Sequence, residues 1–380
     1  MTTTKNNEHK KLNVPNSTDR GNVIRNVPHL RFPEFEGEWK DFLINDVCSE
    51  FKSGKNIKAD SISENGEFPV YGGNGLRGYT SSYNHEGLYV LIGRQGALCG
   101  NVRSVHGKTF ITEHAIAVAG NEISNTSFLH YLFVKMNLGQ YSDQSAQPGL
   151  AVNKLLKIKV VLPSVSEQTK IARFLSLLDE RITTQNKIIE DLKKLKSAIS
   201  KKLLCNDKWT TCIIQDIAEI GRGRVISSVE IDRQKHPLYP VYSSQTSNNG
   251  IMGYLDNYMF DGEYITWTTD GANAGTVFYR KGKFNCTNVC GTLKIQPKFD
   301  CYFVSLVLQQ ATQKYVSSNL ANPKLMNNTM ASIKIRMPNI ETQKQLSKVF
   351  QTLDSCLLVH QRTCKMYLSE KQYLLRQMFI

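Results

Sequence analysis

The chain has 380 residues, 41% of them hydrophobic, which is enough for two or three domains with real cores. Lysine and arginine outnumber the acids 47 to 33, and a net charge of +14 favours a polyanionic partner, most often nucleic acid. No apolar run reaches the length of a signal peptide or membrane span, and nine cysteines without paired spacing read as reduced thiols in a cytoplasmic chain.

Residues 1–26 are polar and rich in Asn, Thr and Lys, so they are expected to be a disordered tail. Residues 27–162 carry short apolar runs broken by Gly, Asn and Ser. Strands are expected at Phe68–Tyr71, Leu88–Ile92, Ala115–Val118 and Ile158–Leu162, with one helix at Ser127–Met136. Residues 163–206 differ in kind: no Gly or Pro follows Pro163 through residue 204, and Ser164 or Ser166 can cap a helix start. Apolar side chains fall at Ile171, Leu175, Leu178, Ile182, Ile189, Leu192 and Ile199, a 4-3 spacing interrupted by Gln185. That is a coiled-coil seam. Residues 207–337 repeat the strand-rich plan, with a helix near Tyr302–Gln310. Residues 338–380 repeat the seam at Leu346, Phe350, Leu353, Leu357, Cys364 and Tyr367, interrupted by His360.

The two halves match at an offset of 175 positions. Gly75-Leu76-Arg77-Gly78-Tyr79 returns as Gly250-Ile251-Met252-Gly253-Tyr254, Gly96 as Gly271, Pro148 as Pro323, Gln168 as Gln343, and Leu178-Asp179 as Leu353-Asp354. Upstream the offset slips, with Trp39 matching Trp209 and Pro69-Val70-Tyr71 matching Pro240-Val241-Tyr242. A period this long is a duplicated domain. The predicted class is α+β: two similar, mostly β domains joined by long helices. Residues 164–204 would form a helix about 60 Å long. With only a short connection before Trp209, the second helix must run back antiparallel to bury its seam. The expectation is two domains at opposite ends of a pseudo-twofold helical rod. Gln185 and His360 are themselves 175 apart. They either face each other and fix the register, or both point to solvent.

No catalytic motif emerges. Gly107-Lys108-Thr109 imitates the end of a phosphate-binding loop, but Val102 stands where that loop needs glycine. His85, His106 and His114 lack partners at metal-ligand spacing, and Cys286 and Cys290 have no second pair. What remains is basic, polar and aromatic side chains on glycine-rich loops. In the first copy these are Arg77, Tyr79, Tyr83, Arg94, Gln95, Arg103 and Lys108. In the second they are Ser243, Ser244, Gln245, Asn248, Asn249, Trp267, Thr269, Asp270, Asn273, Arg280 and Lys283. Such side chains read base edges and hold phosphates. Framework glycines match between the copies while the residues between them differ, Arg94-Gln95 against Thr269-Asp270 and Arg77 against Met252. One scaffold with two reading surfaces suits two different short sequences. Two other classes stay open: a coiled-coil scaffold whose domains bind protein, and a nucleic-acid enzyme with an unrecognised site.

From Val27 onward the chain resembles the specificity subunit of type I restriction-modification systems. The resemblance rests on Val27-Pro28-His29-Leu30-Arg31-Phe32-Pro33-Glu34-Phe35 before Trp39, and on Tyr71-Gly72-Gly73-Asn74-Gly75 followed by Gly78-Tyr79. It rests also on the helix entries, Leu162-Pro163 with Glu167-Gln168-Thr169-Lys170-Ile171 and Met337-Pro338 with Gln343. The second copy departs at Glu341-Thr342-Gln343, where the family pattern has a Glu-Gln pair. The resemblance implies two target recognition domains on double-stranded DNA, each reading half of a bipartite site, with the helices as a ruler for the unread spacer. It implies two docked methyltransferase subunits and further restriction subunits. Adenine-N6 methylation would use S-adenosylmethionine, and cleavage ATP and Mg, all held by the partners; the specificity chain itself supplies no catalytic residue and no cofactor site.

Overall fold

The computed structural model describes residues 26–143, 148–204, 206–317 and 322–380; the expected tail lies, apart from Asn26, outside the described residues. The chain divides into two compact units, 1–182 with 365–380, and 183–364. Both dividing lines fall inside long helices.

In unit 1 the elements are β1 (Lys40–Leu43), α1 (Ile44–Val47), β2 (Cys48–Ser53), β3 (Phe68–Gly72), β4 (Gly75–Thr80), β5 (His85–Gly93), β6 (Val102–Ile111), β7 (Ala115–Gly120), α2 (Thr126–Met136), α3 (Val152–Leu155), β8 (Lys159–Leu162) and the first part of α4 (Val165–Leu203). Six strands form one sheet in the order β2-β7-β5-β6-β3-β4, and β1 pairs with β8. Helix α2 starts where the Asn125 side chain accepts from the Phe128 N–H at 3.0 Å, and it ends at Asn137 in the left-handed region. It buries Phe128, Leu129 and Phe133 against Val90, Ile92 and Val118 of the sheet and against Trp39. Each such side chain is worth about 1.5–3 kcal/mol once removed from water.

Unit 2 repeats this plan with β9 (Thr210–Ile213), α5 (Ile214–Ile217), β10 (Ala218–Arg222), α6 (Ser228–Asp232), β11 (Tyr239–Tyr242), β12 (Ile251–Leu255), β13 (Glu263–Thr268), β14 (Val277–Lys281), β15 (Asn285–Cys286), β16 (Cys290–Ile295), α7 (Cys301–Ala311), α8 (Asn327–Ser332), β17 (Lys334–Met337) and most of α9 (Ile340–Gln377). Its strands form the sheets β10-β16-β13-β14 and β12-β11-β15, and β9 pairs with β17 as β1 does with β8. The ten-residue β6 of unit 1 corresponds here to two pieces, β14 and β15. The parallel pairing is kept nonetheless: Val70↔Phe110 and Tyr71↔Ile111 become Val241↔Asn285 and Tyr242↔Cys286.

The entry to each long helix is held by a buried glutamine. Gln168 accepts from the Asn125 N–H at 2.8 Å and donates to the carbonyls of Pro163 and Ile123 at 2.9 and 3.0 Å. Gln343 accepts from Asp300 N–H at 3.0 Å and donates to Pro338 at 2.8 Å. Glu167 takes a bidentate pair from Arg31, at 2.8 and 2.7 Å, whereas its counterpart Thr342 is capped through its N–H by Asn339. The departure at 341–343 thus coincides with the loss of an arginine partner.

A second matched device ties each sheet domain to its helices. In unit 1, Asp179 accepts from Tyr131 at 2.9 Å and from Lys371 at 2.6 Å. In unit 2, Asp354 accepts from Tyr302 at 2.6 Å and pairs with Lys196. The two aspartates and the two lysines are each 175 apart, but the tyrosines are not at equivalent positions. Counted from the helix starts, they stand one turn apart on α2 and α7, and each still reaches its aspartate.

Candidate nucleic-acid interface

In both units the strand of the central hairpin, β5 or β13, runs into a tight glycine loop whose backbone is pinned in the same way. Gly96 N–H donates to Pro148 at 3.0 Å and Leu150 N–H to Arg94 at 2.9 Å; in unit 2, Gly271 donates to Pro323 at 3.0 Å and Leu325 to Thr269 at 2.9 Å. The far side is fixed by Arg94 N–H to His114 (2.9 Å) and Thr269 N–H to Val289 (3.1 Å). Glycine is required at the loop's end: Gly100 has φ +83, and a Cβ there would lie 2.1 Å from the Gly139 nitrogen. The loop backbone is therefore identical in plan, and only its side chains are free to differ.

In unit 1 the loop presents Arg94, half-buried, and Gln95, exposed. Gln95 Oε1 lies 3.2 Å from His114 Nδ1. Gln95, Arg77, Asn74 and His114 line one cleft of about 340 Å³ floored by Gly72, Gly73 and Gly96. Arg77 and Tyr79 lie on β4, and Arg103 and Lys108 on β6, so these four are strand residues and not loop residues as the glycine pattern suggests. Arg103 is half-buried, its guanidinium against Gly75, with Nε lacking a partner. Lys108 is exposed and stands over the exposed Tyr83 ring at 4.9 Å, away from the cleft's lining.

In unit 2 the corresponding loop carries Thr269, Asp270 and Asn273. Asn273 is exposed; Asp270 accepts from Thr269 Oγ1 at 2.6 Å and has Lys324 at 3.7 Å. Ser243, Ser244 and Gln245 are half-buried, Gln245 donating to the Ile251 carbonyl. Asn248 and Asn249 are exposed with φ of 48 and 53, the left-handed region that asparagine tolerates. Lys283 is exposed over the Tyr258 ring at 4.4 Å. Three of the expected contacts are interior. Trp267 is fully buried and donates to the Leu325 carbonyl at 2.9 Å; Thr269 is fully buried; Arg280 is 3% exposed, with Nε donating to Thr266 Oγ1 at 3.1 Å. Residues 265–269 are buried without alternation, so this stretch is covered on both faces, and Arg280 packs against it through Thr266.

The helix residues fall as follows. In unit 1, Ile171, Leu175, Leu178 and Ile182 are buried, and the first three pack with Leu374, Leu375, Met378 and Phe379. In unit 2, Ile189, Phe350 and Cys364 are buried, while Leu192, Ile199, Leu346, Leu353 and Leu357 are half-buried. Gln185 Oε1 and His360 Nδ1 are 2.7 Å apart, so these two face each other rather than solvent. With Lys196 on Asp354, this makes the helices antiparallel in unit 2.

Among the described residues no group of three His, Cys, Asp or Glu side chains is arranged to hold a metal, and no helix is long and apolar enough to cross a membrane. A family model described as the type I restriction modification DNA specificity domain matches the chain twice, over residues 36–194 and 206–365. The chain belongs to this family. The two matches follow the internal duplication, each covering one sheet domain with its helix. The specificity subunit of the type I restriction enzyme EcoprrI of Escherichia coli is 40% identical over 199 residues, 51% of this chain and 47% of that one. The specificity subunit of the type I restriction enzyme MpnII of Mycoplasma pneumoniae is 42% identical over 145 residues, 38% of this chain and 43% of that one. The matched stretch thus spans less than half of either relative's length. The crystal structure of the type I restriction-modification S subunit from M. genitalium shares the fold with a TM-score of 0.76 at 18% identity, covering 93% of this chain and 99% of that one.

Two of the cleft's side chains, Asn74 and His114, are not among the contacts expected from the sequence. His114 reaches the cleft only because the 112–115 turn is tied to the loop's backbone, a long-range contact with no local signal. The glycines that floor the cleft were legible as turns, but not as neighbours of Gln95.

Proposed function

We propose that the chain is the noncatalytic, sequence-specific DNA-binding subunit of a type I restriction-modification complex. The observation that carries this reading is the pair of loops at 93–100 and 268–275: one backbone plan, pinned by the same hydrogen bonds, with Arg94-Gln95 on one and Thr269-Asp270 on the other. The frame is held while the side chains that reach its surface differ: Arg94 and Gln95 on the first loop, Asp270 and Asn273 on the second, Thr269 being interior. Unit 1 then reads one half of a bipartite duplex site and unit 2 the other. The +14 charge supplies the sequence-independent attraction to phosphates, and each good bidentate base contact adds about 1–3 kcal/mol of discrimination. Arg94 and Arg77 are the guanine-reading candidates of the first half-site. In the second, Asp270 accepts only and suits a base amine such as cytosine N4.

In this reading the helical stem sets the number of unread base pairs, since the second half-site gains effective concentration only when its spacing fits. The chain docks two methyltransferase subunits, through them the restriction subunits, and acts where DNA is, in the cytoplasm. S-adenosylmethionine, ATP and Mg are held by those partners, which flip and methylate an adenine inside the recognised half-site.

The test is electrophoretic mobility shift with the reconstituted methyltransferase complex on duplexes carrying its bipartite site. Specific retention over random duplex is expected. Binding no tighter than to random duplex overturns the reading and favours a protein-binding scaffold. Matched heptad insertions within 185–199 and 350–364 are expected to lengthen the preferred spacer while leaving both half-sites as they were; an unchanged spacer removes the ruler.

A further inference from the structure

Five positions of unit 1, Leu91, Val105, Ile111, Ala115 and Ala117, form a small apolar cluster. The residues 175 positions on are Thr266, Arg280, Cys286, Cys290 and Thr292, and all five are buried too. The duplicated fold therefore keeps the cavity and replaces hydrocarbon with a cation, two thiols and two hydroxyls. A buried guanidinium cannot shed its proton and needs compensation. Arg280 stacks on Tyr242 at 3.6 Å and lies 4.4 Å from the Phe278 ring centre, yet among the described residues it has no carboxylate at ion-pair distance. The acidic groups beside it are the two thiols and the Tyr242 hydroxyl. The Cys286 and Cys290 sulfurs are 3.5 Å apart.

We propose that Cys286 and Cys290 are a redox-active dithiol that closes to a disulfide on meeting a small peroxide and reopens with a thiol reductant. The Cys286 sulfur at hydrogen-bond distance, together with the Arg280 charge, holds the Cys290 thiol below its ordinary range, while burial pushes Cys286 up. Cys290 is thus the attacking sulfur. It takes one peroxide oxygen, the O–O bond breaks, and a sulfenic acid forms with release of hydroxide. The Cys286 sulfur then attacks that sulfur; the S–S bond forms, and the sulfenic oxygen leaves as water with the Cys286 proton. Two electrons pass from the thiols to the peroxide, which ends as two waters. Access comes through the turn that joins β15 to β16, closed by Cys290 N–H donating to the Thr287 carbonyl at 3.0 Å. The three residues between the cysteines include the exposed Asn288, and β15 is only two residues long, so local opening uncovers both sulfurs. Closing the disulfide removes both acidic thiols from beside Arg280 and leaves it only the Tyr242 ring and hydroxyl and the Thr266 hydroxyl. Unit 1, with hydrocarbon at the same positions, has nothing to oxidise there.

The full chain is treated with hydrogen peroxide, denatured in an alkylating agent and digested with trypsin. Cleavage after Lys283 and Lys294 gives one peptide holding both cysteines. It is expected to lack both alkyl groups, to be lighter by two hydrogens, and to recover alkylation after dithiothreitol. Hydrogen exchange is expected to rise over 239–255 and 285–295 and to stay unchanged over 85–120. The proposal is overturned if that peptide remains doubly alkylated at a peroxide dose that oxidises the exposed Cys356, or if a Cys290→Ala chain shows the same rise in exchange. The mass measurement on the unmodified chain decides the matter whether or not that variant folds, and it is independent of DNA binding.

Discussion

Glu167 shows how much one side chain can hold. It is 1% exposed, takes two hydrogen bonds from Arg31 and lies 3.4 Å from Trp39 Nε1, so it fastens the 27–35 segment and the domain core to the start of α4. Glu167→Ala strands a half-buried guanidinium and is expected to cost about 3 kcal/mol in urea unfolding. Thr342→Ala at the equivalent position is expected to cost about half a kcal/mol or less. His130 gives unit 1 a pH dependence. Burial, aided by the charge of Lys371, pushes its ring down to about 4, and its Nδ1 has no partner. The folded state therefore holds the neutral ring, while an unfolded histidine protonates near pH 6.5. Its contribution is complete above about pH 6.5 and declines as the pH falls towards 4, by up to about 3 kcal/mol. His130→Leu is expected to flatten that decline, seen as a smaller change in unfolding midpoint between pH 7 and 5. The Glu-Gln pair and Arg31 were visible in the sequence as separate motifs. That they are one contact was not, because 136 positions separate the partners.

Elements were legible where their period was long. The 4-3 spacing after Pro163 and the glycine-free stretch mark α4 and its repeat α9, and α2 and α7 fall within one residue of the ends expected from their apolar runs. Strands β4 and β6 were missed, since Gly75, Gly78 and Gly107 read as turn residues; each has positive φ but sits inside a paired strand. This misplaced Arg77, Tyr79, Arg103 and Lys108 onto loops. On the long helices, Gln185 and His360 form one polar contact between apolar layers. Replacing both with leucine is expected to raise the unfolding midpoint while relaxing the register in unit 2. The check pairs denaturant titration with crosslinking of cysteines introduced on the two helices; a single crosslink register in the double variant would count against the pair as a register lock.

At the scale of the molecule, the duplication was readable from the sequence, in matched Gly, Pro, Trp, Gln and Leu-Asp positions. The split of β6 into β14 and β15, and the polar filling behind it, were not: Arg280 and Thr269 look like any exposed polar residue until strand direction is known. If each unit reads its own half-site, a single change must be felt at one half only. Arg94→Ala is expected to weaken binding to first-half-site variants tenfold or more, within the roughly 1–3 kcal/mol of a base contact, and leave second-half-site preferences intact. Equal loss at both halves, with a reduced salt dependence, would instead mark Arg94 as a phosphate contact.

The order in which the polypeptide is made gives the division into units a further meaning. Unit 1 is completed by residues 365–380: Phe379 stacks on Phe128 at 5.1 Å and meets the Trp39 ring edge-on at 6.5 Å, and Leu30 N–H donates to the Gln377 carbonyl at 2.9 Å. All of unit 2 is translated before those residues leave the ribosome. Domains ordinarily fold in the order of synthesis, but here the earlier domain waits with part of its core open for a segment made after the later one is finished. A chain cut short anywhere past residue 182 and before 365 therefore carries an exposed apolar face where Phe128 and Trp39 should be covered, a surface that cellular proteases and chaperones can use to discard incomplete copies.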